Sequence, residues 1–91
     1  MSNISHKVKL WGQLKHLTGQ EFVEVAGSQN IDELVLKLAE QENSIAHFLL
    51  AGDKPNPSIL VFVNDNQHMW GTEKALSGND SVTIMSPIAG G

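Results

Sequence analysis

The segment Asn30-Ile31-Asp32-Glu33-Leu34-Val35-Leu36-Lys37-Leu38-Ala39 has the clearest hydrophobic period in the sequence. Asn30 is the predicted N-cap of a helix, and Glu33 three residues later is typical of a capping box. Glu33 and Lys37 are expected to form an i,i+4 pair on the solvent side. The apolar residues that recur at i, i+3, i+4, i+7 and i+8 predict one buried stripe: Ile31, Leu34, Val35, Leu38 and Ala39.

Two strands are predicted before this helix. Lys7–Trp11 and Glu21–Val25 both alternate between apolar and polar residues, as half-buried strands do. Gln13–Leu17 between them is expected to form one helical turn. Phe22 falls on the polar side of its strand, so we expect the second strand to be covered on both faces.

After the helix, the sequence predicts a brief helical repeat and three further strands. Ile45–Leu49 repeats the helical spacing, and Lys54–Pro57 contains two prolines that indicate a loop. Ile59–Val63 is apolar throughout, which favours a central strand buried on both faces. Gln67–Trp70 is expected to be a short edge strand, and Ser81–Met85 a last alternating strand. The order predicts an α+β fold, with a mixed sheet of about five strands and one main helix on one face.

The composition limits the function classes. The 91 residues suffice for one domain, which we expect to span residues 1–91, and 41% of them are hydrophobic. The net charge is −4 and the lysines form no stripe, which argues against nucleic-acid binding; an acidic surface suits a partner with a basic docking face. No cysteine and no membrane-length apolar run is present, so we expect a cytoplasmic protein that does not associate with membranes.

The sequence closes on Pro87-Ile88-Ala89-Gly90-Gly91. These five residues can extend roughly 16–18 Å beyond the last strand. Ala89, Gly90 and Gly91 have little or no side chain, so their backbone can pass through a channel too narrow for larger residues. The alternative is that the glycine pair is a frayed end or a cloning scar. The preceding order of strands favours residues 87–91 as an extended functional tail.

A terminal carboxylate is a poor electrophile and must be activated before it reacts. Adenylation by ATP provides a leaving group, and a sulfur nucleophile that displaces AMP leaves a thiocarboxylate. The sequence contains no phosphate-binding loop, so we expect a separate enzyme to bind the ATP and this chain to bind no cofactor.

Other polar and aromatic residues are weaker candidates for a site. The four histidines lack metal-ligand spacing, so we expect no metal and predict surface or capping roles: His6, His16, His47 and His68. Asp53, Asp65 and Asp80 lie in predicted turns, where carboxylates commonly accept backbone hydrogen bonds. Trp11 is predicted to be a core residue, and Trp70 either a core or an interface residue.

The sequence resembles the small subunit of molybdopterin synthase, a ubiquitin-like sulfur carrier related to the carrier of thiamine biosynthesis. The resemblance covers most of the chain and includes five stretches: Lys7–Gly19, Ile31–Leu34, Leu60–Asn64, Leu76–Val82 and Pro87–Gly91. Ile84-Met85-Ser86 departs from it, because the family commonly has an aromatic pair and a second proline there.

The resemblance implies a β-grasp fold and a role in molybdenum cofactor biosynthesis. By resemblance, Gly91 is adenylated by a ubiquitin-activating-like (E1-like) enzyme and converted to a thiocarboxylate with sulfur from a donor. Gly90 passes through the narrow channel to the active site of the large catalytic subunit. Pro87, Ile88 and Ala89 contact the partners. The large catalytic subunit, expected in a heterotetramer with this chain, transfers the sulfur to a pterin precursor, so the chain needs no catalytic residues of its own. The alternatives are a carrier for cysteine, methionine or a thiamine-like pathway, a ubiquitin-like protein modifier, or a binding module with an inert tail.

Overall fold

The computed structural model describes residues 4–72 and 74–86. The first half contains β1 (Ser5–Trp11), α1 (Gln13–Thr18), β2 (Phe22–Ala26) and α2 (Ile31–Gln41). A 3₁₀ turn, Asn43–Ile45, leads into α3 (Ala46–Leu49), β3 (Leu50–Ala51) and β4 (Lys54–Pro55). The remaining strands are β5 (Leu60–Val63), β6 (Asn66–Gln67) and β7 (Val82–Met85).

Five of the strands form one mixed sheet in the order β2-β1-β7-β5-β6. β1 pairs antiparallel with β2 and parallel with β7, while β5 pairs antiparallel with both β7 and β6. β3 and β4 form a separate two-stranded hairpin. The predicted α+β architecture is confirmed, because α2 covers one face of a five-stranded mixed sheet. No helix in the described part of the chain is long and apolar enough to span a membrane.

The hydrophobic core lies between the sheet and α2. The predicted helix stripe is confirmed, since its members are all buried. On the sheet, every second side chain faces the helix and is buried: Val8, Leu10, Val23, Val25, Val61, Val63, Val82 and Ile84. We call this the inner face of the sheet, and the opposite side its outer face.

The start of α2 is fixed by side-chain hydrogen bonds. The Asn30 side-chain oxygen accepts a hydrogen bond from the Glu33 backbone N–H at 2.8 Å, which confirms the predicted N-cap. The Glu33 carboxylate accepts one from the Gln29 backbone N–H at 2.7 Å. Lys37 donates to the Gly27 carbonyl at 3.1 Å. The predicted Glu33–Lys37 pair is therefore wrong, because each side chain reaches back to the loop before the helix instead.

The prediction that Ile59–Val63 forms a central strand buried on both faces is wrong. The central strand is β7, and β5 lies second from the edge. Leu60 on the outer face is 37% exposed, although it belongs to an apolar run. The apolar run therefore divides between two environments. Val61 and Val63 pack on the inner face, whereas Leu60 lies on the outer face, which no other layer in the described part of the chain covers.

Three smaller expectations also need correction. Phe22 is 46% exposed, so β2 is covered on one face only. Lys54–Pro55 is a short strand rather than loop, because it pairs with Leu50–Ala51. The edge strand predicted at Gln67–Trp70 lies earlier, at Asn66–Gln67.

Candidate functional site

The residues predicted to carry the chemistry, Pro87, Ile88, Ala89, Gly90 and Gly91, lie outside the described residues. Their roles therefore stay predictions. The structure describes β7, the strand that leads to them, and the surface around the end of that strand.

The chain reaches residue 87 from the central strand of the sheet. β7 is hydrogen-bonded to a neighbour on each side, β1 and β5. Its inward side chains, Val82 and Ile84, are essentially inaccessible to solvent. Because local opening needs all of these contacts to be lost, the departure point is fixed relative to the sheet.

A turn of hydrogen-bonded polar side chains fixes the other end of β7. The Asp80 carboxylate accepts hydrogen bonds from the Ser77 backbone N–H at 2.9 Å and from the Asn64 side-chain amide at 2.7 Å. The Asn64 side-chain oxygen in turn accepts one from the Ser81 backbone N–H at 2.9 Å. These bonds confirm the turn-capping role predicted for Asp80 and tie the start of β7 to the β5–β6 connection.

The hydrogen bonds also stabilise the charged form of Asp80. The backbone N–H of Ser77, followed by the side chain of Asn64, lowers the pKa of Asp80 below its ordinary value of 3.8. The carboxylate is therefore ionised at neutral pH, where it is the stronger acceptor for both donors.

Two histidines are buried rather than in the predicted surface or capping positions. His6 is 1% exposed, and its Nε2 lies 2.8 Å from the Ser77 carbonyl. It belongs to the inward phase of β1 with Val8 and Leu10, which is the sequence signal for its burial. His68 is also buried, and burial lowers its pKa. Within residues 4–72 and 74–86, no group of three or more metal-ligating side chains occurs.

Apolar side chains are concentrated on the outer face where β7 ends. Trp11 and Leu60 are both register partners of Met85, one from each neighbouring strand. Trp11 is 47% exposed, so its predicted core position is wrong. Together with Phe62 these side chains form what we call the exit patch: Trp11, Leu60, Phe62 and Met85. A hollow of about 270 Å³ lies among three of them, with Lys9, Asp65 and Thr83 completing its wall.

The exit patch was missed at the sequence level, although β1 carries a signal for it. Trp11 follows the phase of Lys7 and Lys9, which must face solvent, rather than the phase of Val8 and Leu10. An aromatic residue in the polar phase of a strand indicates an exposed apolar surface. Such surfaces mark interaction sites when they are contiguous.

Lysine side chains border the exposed aromatic rings of the outer face. The Lys9 ammonium lies 4.9 Å from the centroid of the Trp11 ring, and the Lys7 ammonium 5.3 Å from that of Phe22. These distances are within the range of cation–π attraction. Lys9 also lies 4.0 Å from the Glu21 carboxylate, an exposed pair of little energetic weight. Positive charge therefore lies beside the exposed rings of the outer face, where Glu24, the register partner of Lys7, is also found.

Solved structures that resemble this chain show its fold. The solution structure of small archaeal modifier protein 1 from Methanosarcina acetivorans matches with a TM-score of 0.80 and 24% identity, over 100% of both chains. A putative molybdopterin converting factor, subunit 1, from Pyrococcus furiosus matches with a TM-score of 0.66 and 18% identity, over 93% of this chain and 99% of that one. The fold is the β-grasp, ubiquitin-like fold, which confirms the expected fold class.

A third match is somewhat closer in sequence. The Amycolatopsis orientalis BexX/CysO complex contains a chain that is 26% identical, with a TM-score of 0.71, over 93% of this chain and 98% of that one. A search of curated proteins gave no match. The family model described as "ThiS family" matches residues 8–91, which include the whole of the predicted tail.

Proposed function

Because the chain belongs to the ThiS family of ubiquitin-like sulfur carriers, we propose that it carries sulfur as a thiocarboxylate on Gly91. The observation that carries the proposal is the family match, which begins in β1 and runs through Gly91. The central position of β7 supports it, because a reactive end needs a rigid point of attachment in order to be aimed into a partner's active site.

The chemistry divides into an activation and a transfer. The Gly91 carboxylate attacks the α-phosphorus of ATP on an E1-like enzyme, which forms the acyl adenylate and releases pyrophosphate. A hydrosulfide-level nucleophile from the sulfur donor then adds to the acyl carbon, AMP leaves, and a proton is released. The product is the thiocarboxylate, whose sulfur is passed to the acceptor while the carboxylate is regenerated by water.

The exit patch is the surface that we assign to partner contact during these steps. Trp11, Leu60, Phe62 and Met85 lie where the chain leaves β7, so a partner that takes up residues 87–91 meets them first. Aromatic side chains are enriched among residues that dominate binding energy at protein interfaces. By the family resemblance, Pro87, Ile88 and Ala89 would contact the partner and Gly90 would pass through its channel.

Molybdopterin synthesis is the pathway that we propose for the sulfur. The resemblance to the small subunit of molybdopterin synthase supports it, as does the shared fold with the putative molybdopterin converting factor subunit. The large catalytic subunit would then be the second partner, with two copies of each chain in the complex. The likeness to the BexX/CysO complex favours a carrier for another pathway as the second candidate.

A ubiquitin-like protein modifier is the alternative from a different class, and the likeness to small archaeal modifier protein 1 favours it. The intact mass after co-expression with the host's adenylating enzyme and a sulfur source separates the two. A carrier gains one sulfur in place of one oxygen, whereas a modifier yields conjugates of higher mass through isopeptide bonds. The matched control lacks Gly91 and keeps every described residue. An unchanged mass, with the enzyme shown to be active on another carrier, would overturn the proposal.

The pathway needs its own experiment, because a sulfur carrier of any pathway would show the same change in mass. Thiocarboxylated protein is mixed with the large subunit of molybdopterin synthase and the pterin precursor, and dithiolene formation is measured. We expect product only from the thiocarboxylated form. If the sulfur stays on the carrier, the proposed pathway is wrong, but the proposal that the chain carries sulfur still stands.

A further inference from the structure

A groove lies on the helical side of the molecule, away from the exit patch. One wall is α2, the other is the β3–β4 hairpin, and its volume is about 610 Å³. We propose that this groove binds an arginine side chain of a partner protein, as a second docking surface. None of its lining residues belongs to the outer face of the sheet, so the proposal does not depend on the function assigned to residues 87–91.

Trp70 supplies a rigid aromatic surface in the groove. Its indole N–H donates a hydrogen bond to the Ile59 carbonyl at 3.1 Å, and the ring meets His68 edge-on with centroids 5.0 Å apart. These two contacts hold the ring in one orientation. Leu36 and Pro55 line the groove beside it and are half-buried, so the groove is largely apolar. A planar group that enters it can stack against a preformed surface.

Two carboxylates decide which planar group fits. Asp32 on α2 and Asp53 in the β3–β4 turn both line the groove, and both are exposed. Lys54 contributes one positive charge, so the three charged residues that line the groove sum to −1. A guanidinium group is planar, is attracted to a tryptophan face and pairs with carboxylates through two N–H donors at once. Arginine therefore matches the groove better than lysine, whose ammonium is compact and strongly hydrated.

The field of Asp32 extends to His68, next to Trp70. Burial lowers the pKa of His68, the negative charge of Asp32 opposes that change, and Lys74 adds to it. His68 is in edge contact with Trp70. A cation above the indole ring would therefore experience the attraction of Asp32 as well as that of the ring.

The test is an NMR titration of the ¹⁵N-labelled full chain with N-acetyl-arginine amide. We expect saturable shifts of the Trp70 indole N–H and of the amides of Asp32 and Asp53, with a dissociation constant of roughly millimolar order. N-acetyl-citrulline amide is the neutral isostere and should bind at least about fivefold more weakly, since it lacks the charge. The lysine analogue should fall between the two.

Charge-removing variants locate the binding to the groove. Asp32→Asn with Asp53→Asn should weaken arginine binding by about five- to tenfold. Glu40→Gln is the matched control, because it removes a carboxylate from α2 outside the groove. If the double variant unfolds, Asp53→Asn alone in the exposed turn serves the same purpose. Equal binding of citrulline, equal binding by the double variant, or shifts spread over the whole surface would overturn the proposal.

Discussion

The inner and outer faces of the sheet are formed by the same strands but differ in what covers them. On β5, Val61 points inward and is fully buried against the helical layer, while its neighbour Leu60 points outward and is 37% exposed. On β1, Leu10 is buried and its neighbour Trp11 is 47% exposed. Neighbouring apolar residues therefore differ in role: the inner set stabilises the fold, and the outer set near the end of β7 forms the exit patch that we propose contacts a partner.

The difference has an energetic consequence. Removing a buried side chain loses the transfer free energy and also leaves a cavity, whereas removing an exposed one loses little of either. Substitutions on the two faces should therefore separate stability from function. Residues of the inner face should affect both, whereas residues of the exit patch and of the tail should affect function much more than stability.

The largest effect is expected from a matched pair of leucines. Leu34→Ala on α2 should lower the free energy of unfolding by about 2–5 kcal/mol, because Leu34 is 0% exposed. Leu60→Ala on the outer face should lower it by about 1 kcal/mol or less. Urea denaturation followed by circular dichroism measures both. Equal losses for the two variants would mean that the outer face is packed as tightly as the core.

The turn before β7 should give the next largest effect. Asp80→Asn weakens the hydrogen bonds from Ser77 and Asn64, which should lower the free energy of unfolding by about 0.5–1.5 kcal/mol at pH 7. The pKa of Asp80 is lower in the folded chain than in the unfolded one. Its stabilisation is therefore fully present above the unfolded-state pKa of 3.8 and is lost as the pH falls through the folded-state pKa.

The pH dependence provides the control for that prediction. Denaturation curves between neutral and strongly acidic pH should show the wild type approaching the Asp80→Asn variant as the carboxyl becomes protonated. Asp65→Asn removes a carboxylate from a neighbouring exposed turn without touching the hydrogen bonds of Asp80, and is measured alongside as the control for loss of a turn charge. A constant difference between wild type and Asp80→Asn at every pH would contradict the lowered pKa.

Trp11 should separate binding from stability. Trp11→Ala should lower the free energy of unfolding by no more than about 1 kcal/mol, since nearly half of the side chain is already in water. It should lower kcat/KM of the adenylating enzyme for the carrier by about tenfold or more if the exit patch is a binding hot spot. Phe22→Ala, an exposed aromatic change on the edge strand β2, is the control. An unchanged kcat/KM for Trp11→Ala would contradict the assignment of the exit patch as a contact surface for the adenylating enzyme.

The smallest effect on stability is expected from deleting Gly90 and Gly91. The free energy of unfolding should change by less than about 0.5 kcal/mol, because this deletion removes none of the described core contacts. Sulfur acceptance should be abolished altogether. A large drop in thermal stability would show that the tail is packed against the domain, contrary to its assigned role.

Local patterns were enough to predict the inner face. The 3.6-residue period of α2, the Asn30 cap and the alternation of β1 and β7 each depend on neighbours within a few positions. The order of the predicted elements did not show whether another layer covers the outer face of each strand. The apolar run of β5 and the aromatic residues Trp11 and Phe22 were therefore predicted to be more buried than they are.

Side-chain partners distant in sequence account for the remaining errors. The alternation of β1 shows that His6 faces inward, but its partner, the Ser77 carbonyl, lies 71 positions away and no local pattern indicates that contact. Lys37 bonds to the loop carbonyl of Gly27 rather than to the carboxylate one turn away. The predicted tail is a different case: its composition and the family resemblance indicated it, and the structure describes its attachment at β7 only.

Tandem mass spectrometry of the C-terminal peptide tests the central claim most directly. The protein is incubated with the adenylating enzyme, ATP and a sulfur donor, and the fragments that contain residues 87–91 are sequenced. We predict that the added sulfur is found on Gly91, and that the folded Trp11→Ala variant acquires it more slowly. Sulfur on any other residue, or a lysine isopeptide bond at Gly91 in its place, would contradict the assignment of this chain as a sulfur carrier.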